Sequence, residues 1–251
     1  MLYIILSIIQ GITEPLPISS SGHLYLISNI FNINTNNLSF EIITNFGSLI
    51  AVLFYYRLKI KELFKGTYNY IQKKESNKSF KYLTMIVTGT IPAIIIGGLL
   101  KDYIEKIINI KIIGIAFIIT SLFLYLIKDK KGKKNNISFK DSLIIGLYQA
   151  IALFPGISRS GSTIVGCMNQ DLDRKTAFDY SFMLYIPVSI GSFVLNIKDF
   201  SFSPIFIFCI TLSAITTYIS LKLFSKVIKN GKLFIFSIYT LIIGLFCFFK
   251  F

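Results

Sequence analysis

Long apolar runs alternate with short polar ones along this chain of 251 residues. Six of the runs approach the length of about 20 residues that a helix needs to cross about 30 Å of hydrocarbon. They cover residues 40–56, 82–100, 110–127, 177–197, 204–223 and 233–249. The pattern therefore predicts an all-α polytopic membrane protein with six transmembrane helices.

Two further apolar segments are interrupted by proline or glycine. The first covers residues 1–31 and contains two prolines, and the second covers residues 139–168 with Pro155 and Gly156 at its centre. Each half is too short to cross the hydrocarbon, because a helix rises only about 1.5 Å per residue. We expect two re-entrant helical hairpins. We keep the first in the mature protein because it lacks the basic start of a signal peptide.

The first hairpin carries a dense polar stretch at residues 10–24, which reads QGITEPLPISSSGHL. It contains the carboxylate of Glu14 and the only histidine of the chain, His23. Three consecutive serines also belong to it, Ser19, Ser20 and Ser21. Polar groups are costly to leave unsatisfied in lipid, so a helix that merely spans a membrane would not contain them. The composition indicates that this hairpin binds something.

The second hairpin matches the first at a shift of 139 positions without a gap. The matched pairs are Gln10 with Gln149, Ile12 with Ile151, Ile18 with Ile157, Ser19 with Ser158, Ser21 with Ser160 and Gly22 with Gly161. Broken hairpins in corresponding places are typical of an internal repeat. We predict one membrane domain, residues 1–251, with one repeat at about 1–128 and the other at about 139–251.

The charge pattern predicts the orientation in the membrane. Hydrophobic residues make up 53% of the chain and charged ones 15%, so the net charge of +14 belongs to a membrane protein rather than to a nucleic-acid-binding one. The basic residues cluster in predicted loops at 57–81, 128–140 and 222–232, which the positive-inside rule places in the cytoplasm. The connections at 101–111 and 198–202 are nearly balanced and should face outward. The first hairpin then enters from outside and the second from the cytoplasm, which gives inverted repeats whose tips meet near the membrane midplane.

Side chains at the two tips suit an anion and its cation. Gln10 and Glu14 are four positions apart and share a helix face, and a carboxylate in hydrocarbon needs a cationic partner. Only three of the 26 basic residues are arginines. One of them, Arg159, lies in the second hairpin, and its planar guanidinium suits bidentate binding of phosphate. Helix N-termini after both breaks also favour an anion. The candidate phosphate-binding residues are Ser19, Ser21, Ser158, Arg159, Ser160 and Gly161.

Several of these features also have a structural alternative. Serines in membrane helices often mediate close packing or bond to their own backbone, and this stays open for Ser21, Ser160 and Ser162. Glu41 begins a predicted spanning helix, where a carboxylate stabilises the helix dipole. The three cysteines lie in apolar stretches without metal-ligand spacing, so neither a disulfide nor a zinc site is indicated.

The two motifs resemble those of the undecaprenyl-diphosphate phosphatases of the bacitracin-resistance type. The first family signature, Glu or Gln, three residues, Glu and then a PxSSxGH-like run, stands here as Gln10, Glu14 and residues 17–23, PISSSGH. The second, PGxSRSG, stands at 155–161 as PGISRSG, and an FSFLLxIP-like run stands at 180–187 as YSFMLYIP. The resemblance extends through most of the chain.

The resemblance implies an integral membrane enzyme that converts undecaprenyl diphosphate to the monophosphate and inorganic phosphate for cell-wall synthesis. It also implies a divalent cation, Mg²⁺ or Ca²⁺, and an active site that opens to the outer face of the bacterial cytoplasmic membrane. The expected partners are the polyprenyl diphosphate and membrane lipids, with a homodimer left open.

The expected mechanism uses both hairpins. Glu14, helped by Gln10, would hold the cation, and Arg159 would grip the phosphate oxygens. Ser20 would attack phosphorus or position a water, with His23 as general base or acid, and His23 as the nucleophile stays open. Gln10 replaces a glutamate found in many family members. This removes one anionic ligand, for which Glu41 or the lipid phosphates would have to compensate.

A transporter or flippase of an anion or phosphorylated lipid is the main alternative, because inverted repeats with broken helices are the architecture of secondary transporters. A transporter needs binding groups but no nucleophile beside a base, so Ser20, His23 and Arg159 together favour an enzyme. A non-catalytic scaffold would leave Glu14 and His23 in the membrane without a purpose.

Overall fold

The computed structural model describes residues 2–31, 38–73, 77–196 and 203–250. Within these ranges the chain forms eleven helices and no strand beyond an isolated bridge between Lys134 and Leu172. The helices are α1 (Leu2–Thr13), α2 (Ser20–Ile30), α3 (Leu38–Tyr55), α4 (Arg57–Lys73), α5 (Lys78–Ile107), α6 (Ile110–Leu126), α7 (Phe139–Ile151), α8 (Arg159–Asn169), α9 (Arg174–Asn196), α10 (Ile205–Lys229) and α11 (Phe234–Lys250). The all-α prediction is confirmed for the described residues.

Each of the six predicted spanning runs forms a helix, namely α3, α5, α6, α9, α10 and α11. Three segments are long and apolar enough to cross a membrane by length and composition, Lys78–Leu100, Arg174–Asn196 and Ile205–Ile228. The other three runs form shorter apolar helices. The end of the predicted run 177–197 and the predicted outward connection 198–202 lie outside the described residues.

The basic segment after α3, which we expected to be a loop, is helical as α4. None of its residues is fully buried, but Ile60 and Leu63 pack against the main apolar core and the ring of Tyr70 makes a tilted contact with that of Phe80 on α5. The many lysines conceal this amphipathic pattern, because they occupy the positions between the packed residues.

Corresponding helices of the two predicted repeats make corresponding contacts. Helix α1 packs on α10, and its counterpart α7 packs on α5. Helices α6 and α11 pack on each other, where the hydroxyl of Ser121 donates to the carbonyl of Ser237 (2.7 Å) and that of Ser237 donates to the carbonyl of Ser121 (2.9 Å). Gly114 and Gly244 face each other at the same contact, since a Cβ on either would lie within 3.0 Å of the other's carbonyl oxygen. Each serine makes the same bond to the other, as expected for two helices, α6 and α11, that are related by an approximate two-fold axis.

The two hairpins enter the helical bundle from opposite ends. The ring of Tyr3, at the start of α1, makes a tilted contact with that of Phe40 at the start of α3. The other end of α3 is tied to α9, because Tyr56 donates a hydrogen bond of 3.0 Å to Asp179. The second hairpin opens at this end, where Lys130 donates to Asn169 at the end of α8 (2.7 Å). The tips of the hairpins therefore meet inside the bundle.

Candidate active site

Two contacts where the hairpin tips meet are related to each other by the shift of 139 positions. A Cβ on Gly22 would lie 2.8 Å from the Cα of Gly156, and a Cβ on Gly161 would lie 3.3 Å from the Cβ of Pro17. Positions 17 and 22 correspond to 156 and 161, so the two contacts are equivalent under the repeat. Gly156 also has a φ of +98°, which an L side chain would strain. These glycines permit the close approach of the tips.

Serine hydroxyls cap both short helices that follow the breaks. Ser19 accepts from the amide N–H of Gly22 (3.3 Å) and from that of Gly156 in the other hairpin (3.1 Å). Ser158 accepts from the amide N–H of Gly161 (3.1 Å), and Ser160 donates to the carbonyl of Leu16 (3.0 Å). Four predicted phosphate-binding residues thus make structural bonds. The N–H of Gly161 is already engaged.

Glu14 lies at the centre of the polar cluster. One carboxylate oxygen forms an ion pair with the guanidinium of Arg159, and the other accepts from the hydroxyl of Ser20. The amide nitrogen of Gln10 donates to this second oxygen at 2.9 Å. The residue is only 8% exposed, so the pair is largely desolvated and electrostatically strong. The structure therefore brings together four of the predicted site residues from two hairpins.

A small polar cavity of about 240 Å³ adjoins this cluster. The predicted residues that line it are Glu14, Ser19, Ser20, Ser21, Ser158, Arg159 and Ser160. Helices α3 and α9 contribute three polar residues that the sequence did not single out, Asn45, Ser189 and Ser192. Only their position in the fold identifies them, since each lies in an apolar run without a motif. Gln10, His23 and Gly161 do not line the cavity as described.

Arg159 also rests on an aromatic ring that the sequence did not predict. Its guanidinium carbon lies 3.8 Å from the ring centroid of Tyr185, on α9. The hydroxyl of Tyr185 donates to the backbone carbonyl of Asn45 at 3.2 Å. The guanidinium is therefore held between a carboxylate and an aromatic face.

His23 faces away from Ser20. Its Nδ1 lies 2.7 Å from the carbonyl oxygen of Ser19, and its Nε2 lies 2.7 Å from the hydroxyl of Tyr239 on α11. A carbonyl can only accept, so Nδ1 carries the proton and Nε2 accepts from the tyrosine. The expected pairing of Ser20 with His23 is thus absent from the described hydrogen bonds. The proton of Ser20 is directed to Glu14 instead.

Glu41 lies in the first turn of α3, one turn before Asn45, and is exposed. It does not line the cavity as described. Its role as a compensating ligand stays a prediction.

The donor set suits a cation that takes most of its ligands from substrate. No group of three or more His, Cys, Asp or Glu side chains that could hold a metal occurs among the described residues. Glu14 is the sole carboxylate among the residues that line the cavity. Mg²⁺ commonly uses one or two protein carboxylates together with phosphate oxygens and waters, which this site can accommodate.

A larger cavity of about 550 Å³ lies at the lysine-rich end, between α4, α5 and the segment before α7. It contains none of the predicted site residues, and its lining includes Lys59, Lys78 and Lys81. The predicted site residues that line a described cavity all line the smaller one.

Known proteins resemble this chain along nearly its whole length. The family model described as Bacitracin resistance protein BacA matches residues 3–246. Undecaprenyl-diphosphatase 2 of Bacillus thuringiensis is 42% identical over 254 residues, which cover 96% of this chain and 94% of that protein. Undecaprenyl-diphosphatase 1 of Bacillus licheniformis is 41% identical, with 97% and 95% covered. Undecaprenyl-diphosphatase of Oceanobacillus iheyensis is 40% identical, with 96% and 93% covered.

Proposed function

The chain belongs to the bacitracin resistance protein BacA family, and we propose that it hydrolyses undecaprenyl diphosphate to undecaprenyl phosphate and inorganic phosphate. The observation that carries this proposal is the meeting of Glu14, Arg159 and Ser20 beside one small polar cavity. A carboxylate, a guanidinium and a hydroxyl within hydrogen-bonding reach are the groups that phosphoryl transfer requires for charge neutralisation and attack.

The protein is a multi-pass protein of the bacterial membrane, as its apolar helices and its family indicate. Its product is the monophosphate carrier lipid, which peptidoglycan synthesis reuses. Recycling of this lipid also underlies the resistance to bacitracin for which the family is described.

In the topology that we propose, six helices span the membrane and the two hairpins are re-entrant from opposite faces. The entry of the hairpins from opposite ends of the bundle supports this arrangement. Two of the basic clusters share one end, since Lys59 of α4 pairs with Asp179 and Arg174 donates to the carbonyl of Lys130. The positive-inside rule makes this end cytoplasmic, and the active site then opens to the outer face.

Arg159 would bind the terminal phosphate in this mechanism. Its guanidinium gives up part of its contact with the carboxylate of Glu14 and donates to phosphate oxygens instead. This neutralises the negative charge of the phosphate as the bridging P–O bond breaks. The first amides of α8 assist, because the helix N-terminus favours an anion. The lipid monophosphate is the leaving group.

Ser20 is the nucleophile in our proposal. Its oxygen forms a bond to the terminal phosphorus, its proton passes to Glu14, and the bond from phosphorus to the bridging oxygen breaks. Glu14 then passes this proton to the departing lipid phosphate. Water attacks the phosphoserine, Glu14 takes a proton from that water and returns it to the Oγ of Ser20 as the bond from phosphorus to the serine oxygen breaks, and inorganic phosphate is released. The hydrogen bond from Ser20 to Glu14 supports this assignment over one in which His23 is the base.

His23 positions the first turn of α2. Its Nδ1–H holds the carbonyl of Ser19, directly before Ser20, while Tyr239 fixes the other ring nitrogen. A rigid turn keeps the serine hydroxyl in line with the phosphate, and a misplacement of about 1 Å can cost a hundredfold in rate.

A divalent cation, Mg²⁺ or Ca²⁺, completes the proposed site, with Glu14 as its protein ligand. When bound, it would neutralise the diphosphate and polarise its oxygens. The amide nitrogen of Gln10 faces Glu14, so we assign Gln10 the role of orienting this carboxylate rather than ligating the metal.

Phosphate release from purified protein in detergent tests the proposal against transport of an anion or lipid. Farnesyl diphosphate or undecaprenyl diphosphate serves as substrate, with and without EDTA. Release that depends on the cation and on Arg159 supports the enzyme. No release from any lipid diphosphate would favour the transporter.

A further inference from the structure

Arg159 makes two contacts of different kinds in the site. Its guanidinium pairs with Glu14 through an N–H group, while the ring of Tyr185 covers its face at 3.8 Å from ring centroid to guanidinium carbon. The first contact competes with substrate, because the same N–H groups must reach the phosphate oxygens. The second does not compete, since a stacked ring leaves the rim of N–H donors free.

Tyr185 is itself rigidly placed. It is only 1% exposed, and its hydroxyl bonds to the backbone of α3 at Asn45. One turn away, the hydroxyls of Thr163 on α8 and Ser181 on α9 lie 2.5 Å apart. Thr163 follows Arg159 by four residues and Ser181 precedes Tyr185 by four residues. This bond therefore fixes the two helices in the register that stacks the ring on the guanidinium.

We propose that Tyr185 is a positioning residue that holds the guanidinium of Arg159 for the terminal phosphate of the substrate. The proposal rests on the proposed phosphatase function. When the phosphate displaces Arg159 from Glu14, the ring keeps the guanidinium in place. Substrate binding then costs little ordering of a long side chain.

Substitution of Tyr185 separates an aromatic platform from a merely buried side chain. Tyr185→Phe keeps the ring, whereas Tyr185→Leu and Tyr185→Met keep an apolar side chain without one. A cation–π contact in a desolvated site predicts that KM for farnesyl diphosphate rises about fivefold to tenfold in the Leu and Met variants. The Phe variant should stay within about twofold of wild type, and kcat should change less than KM in all three.

Tyr180→Leu is the matched control. Tyr180 is also on α9 and fully buried, but its hydroxyl bonds to the carbonyl of Met85 at 2.6 Å, away from Arg159. The same loss of volume should therefore lower thermal stability without raising KM. Equal KM values in the Tyr185→Phe and Tyr185→Leu variants would contradict the positioning role of Tyr185. A rise in KM in Tyr180→Leu as large as that in Tyr185→Leu would contradict it as well.

A double-mutant cycle with Arg159→Lys tests the coupling directly. The readout is the Kd of a non-hydrolysable farnesyl methylene-diphosphonate, which needs no turnover. A lysine cannot stack as a planar cation, so Tyr185→Leu should weaken binding several-fold in wild type but less than about twofold in the Arg159→Lys background. Additive effects would contradict the proposal. Wild-type protein that releases no phosphate would instead contradict the proposed function, whatever the variants do.

Discussion

The carboxylate of Glu14 forms an ion pair with the guanidinium of Arg159, although 145 positions separate the two residues in the chain. Each belongs to a different hairpin, and the hairpins approach from opposite ends of the bundle. A complete site therefore exists only when both halves of the chain are packed together.

Removal of either member of this pair should affect both activity and stability. Glu14→Gln and Arg159→Ala should each lower kcat/KM for a prenyl diphosphate by about a hundredfold or more, because charge neutralisation is lost. Each leaves a buried charge unpaired and should lower the Tm. The double variant should regain part of the Tm but none of the activity. Near-normal turnover in Arg159→Ala would show that Arg159 does not bind the terminal phosphate in the mechanism.

Loss of the Ser20 hydroxyl should abolish turnover. Ser20→Ala lacks the proposed nucleophile, and wild type incubated with prenyl diphosphate labelled at the terminal phosphate should yield an acid-stable phosphoserine. Ser28→Ala is a suitable control, because Ser28 is buried on the same helix and its hydroxyl has no partner among the described residues. Inactive Ser20→Ala together with no labelled wild-type enzyme would indicate that Ser20 positions a water.

Substitutions of His23 distinguish positioning from proton transfer. An asparagine can still donate a hydrogen bond toward the carbonyl of Ser19, whereas an alanine cannot. We expect His23→Ala to lower kcat about a hundredfold, whereas His23→Asn should lower kcat only about tenfold. Equal loss in both variants would point to acid–base chemistry by the imidazole. Tyr239→Phe should lower kcat only a few-fold, because one hydrogen bond is removed.

Stability should depend on pH through Asp141, which lies in the first turn of α7, at the lysine-rich end and outside the predicted spanning segments. Burial raises the pKa of this carboxyl, but hydrogen bonds from Lys134 (2.7 Å) and the amide of Ser138 (2.9 Å) outweigh it and lower the pKa overall. A lowered pKa in the folded state means that its stabilisation is complete above the unfolded-state pKa and is lost as the pH falls through the folded value. Asp141→Asn should therefore lower the Tm at pH 7, and the difference from wild type should shrink in acid. A difference that is constant from pH 7 to pH 3 would contradict this linkage.

The sequence predicts the helices better than the contacts within the site. Apolar length locates the six long runs and the prolines locate the hairpin breaks, because both depend on local chemistry. The shift of 139 residues also relates the two contacts at the tips, because the contact of Gly22 with Gly156 corresponds to that of Gly161 with Pro17. Helix α4 was missed because its lysines hide an apolar face.

Side-chain direction within the site depends on helix packing, which the motifs do not encode. The run from Ser19 to His23 suggests a serine beside its histidine, yet Ser20 donates to Glu14 and His23 accepts from Tyr239. Tyr185 and Asn45 were missed for the same reason. They reach the site only because α9 packs on α8 of the second hairpin and α3 packs on both α9 and α1.

Phosphate release from undecaprenyl diphosphate by the purified protein is the most direct test of the account. Wild type with Mg²⁺ or Ca²⁺ should release phosphate, EDTA should stop it, and readdition of the cation should restore it. Arg159→Ala, with its helical content unchanged by circular dichroism, should release about a hundredfold less. Phosphate release that is the same in wild type and Arg159→Ala, or that ignores EDTA, would contradict a site built from both hairpins around a bound cation.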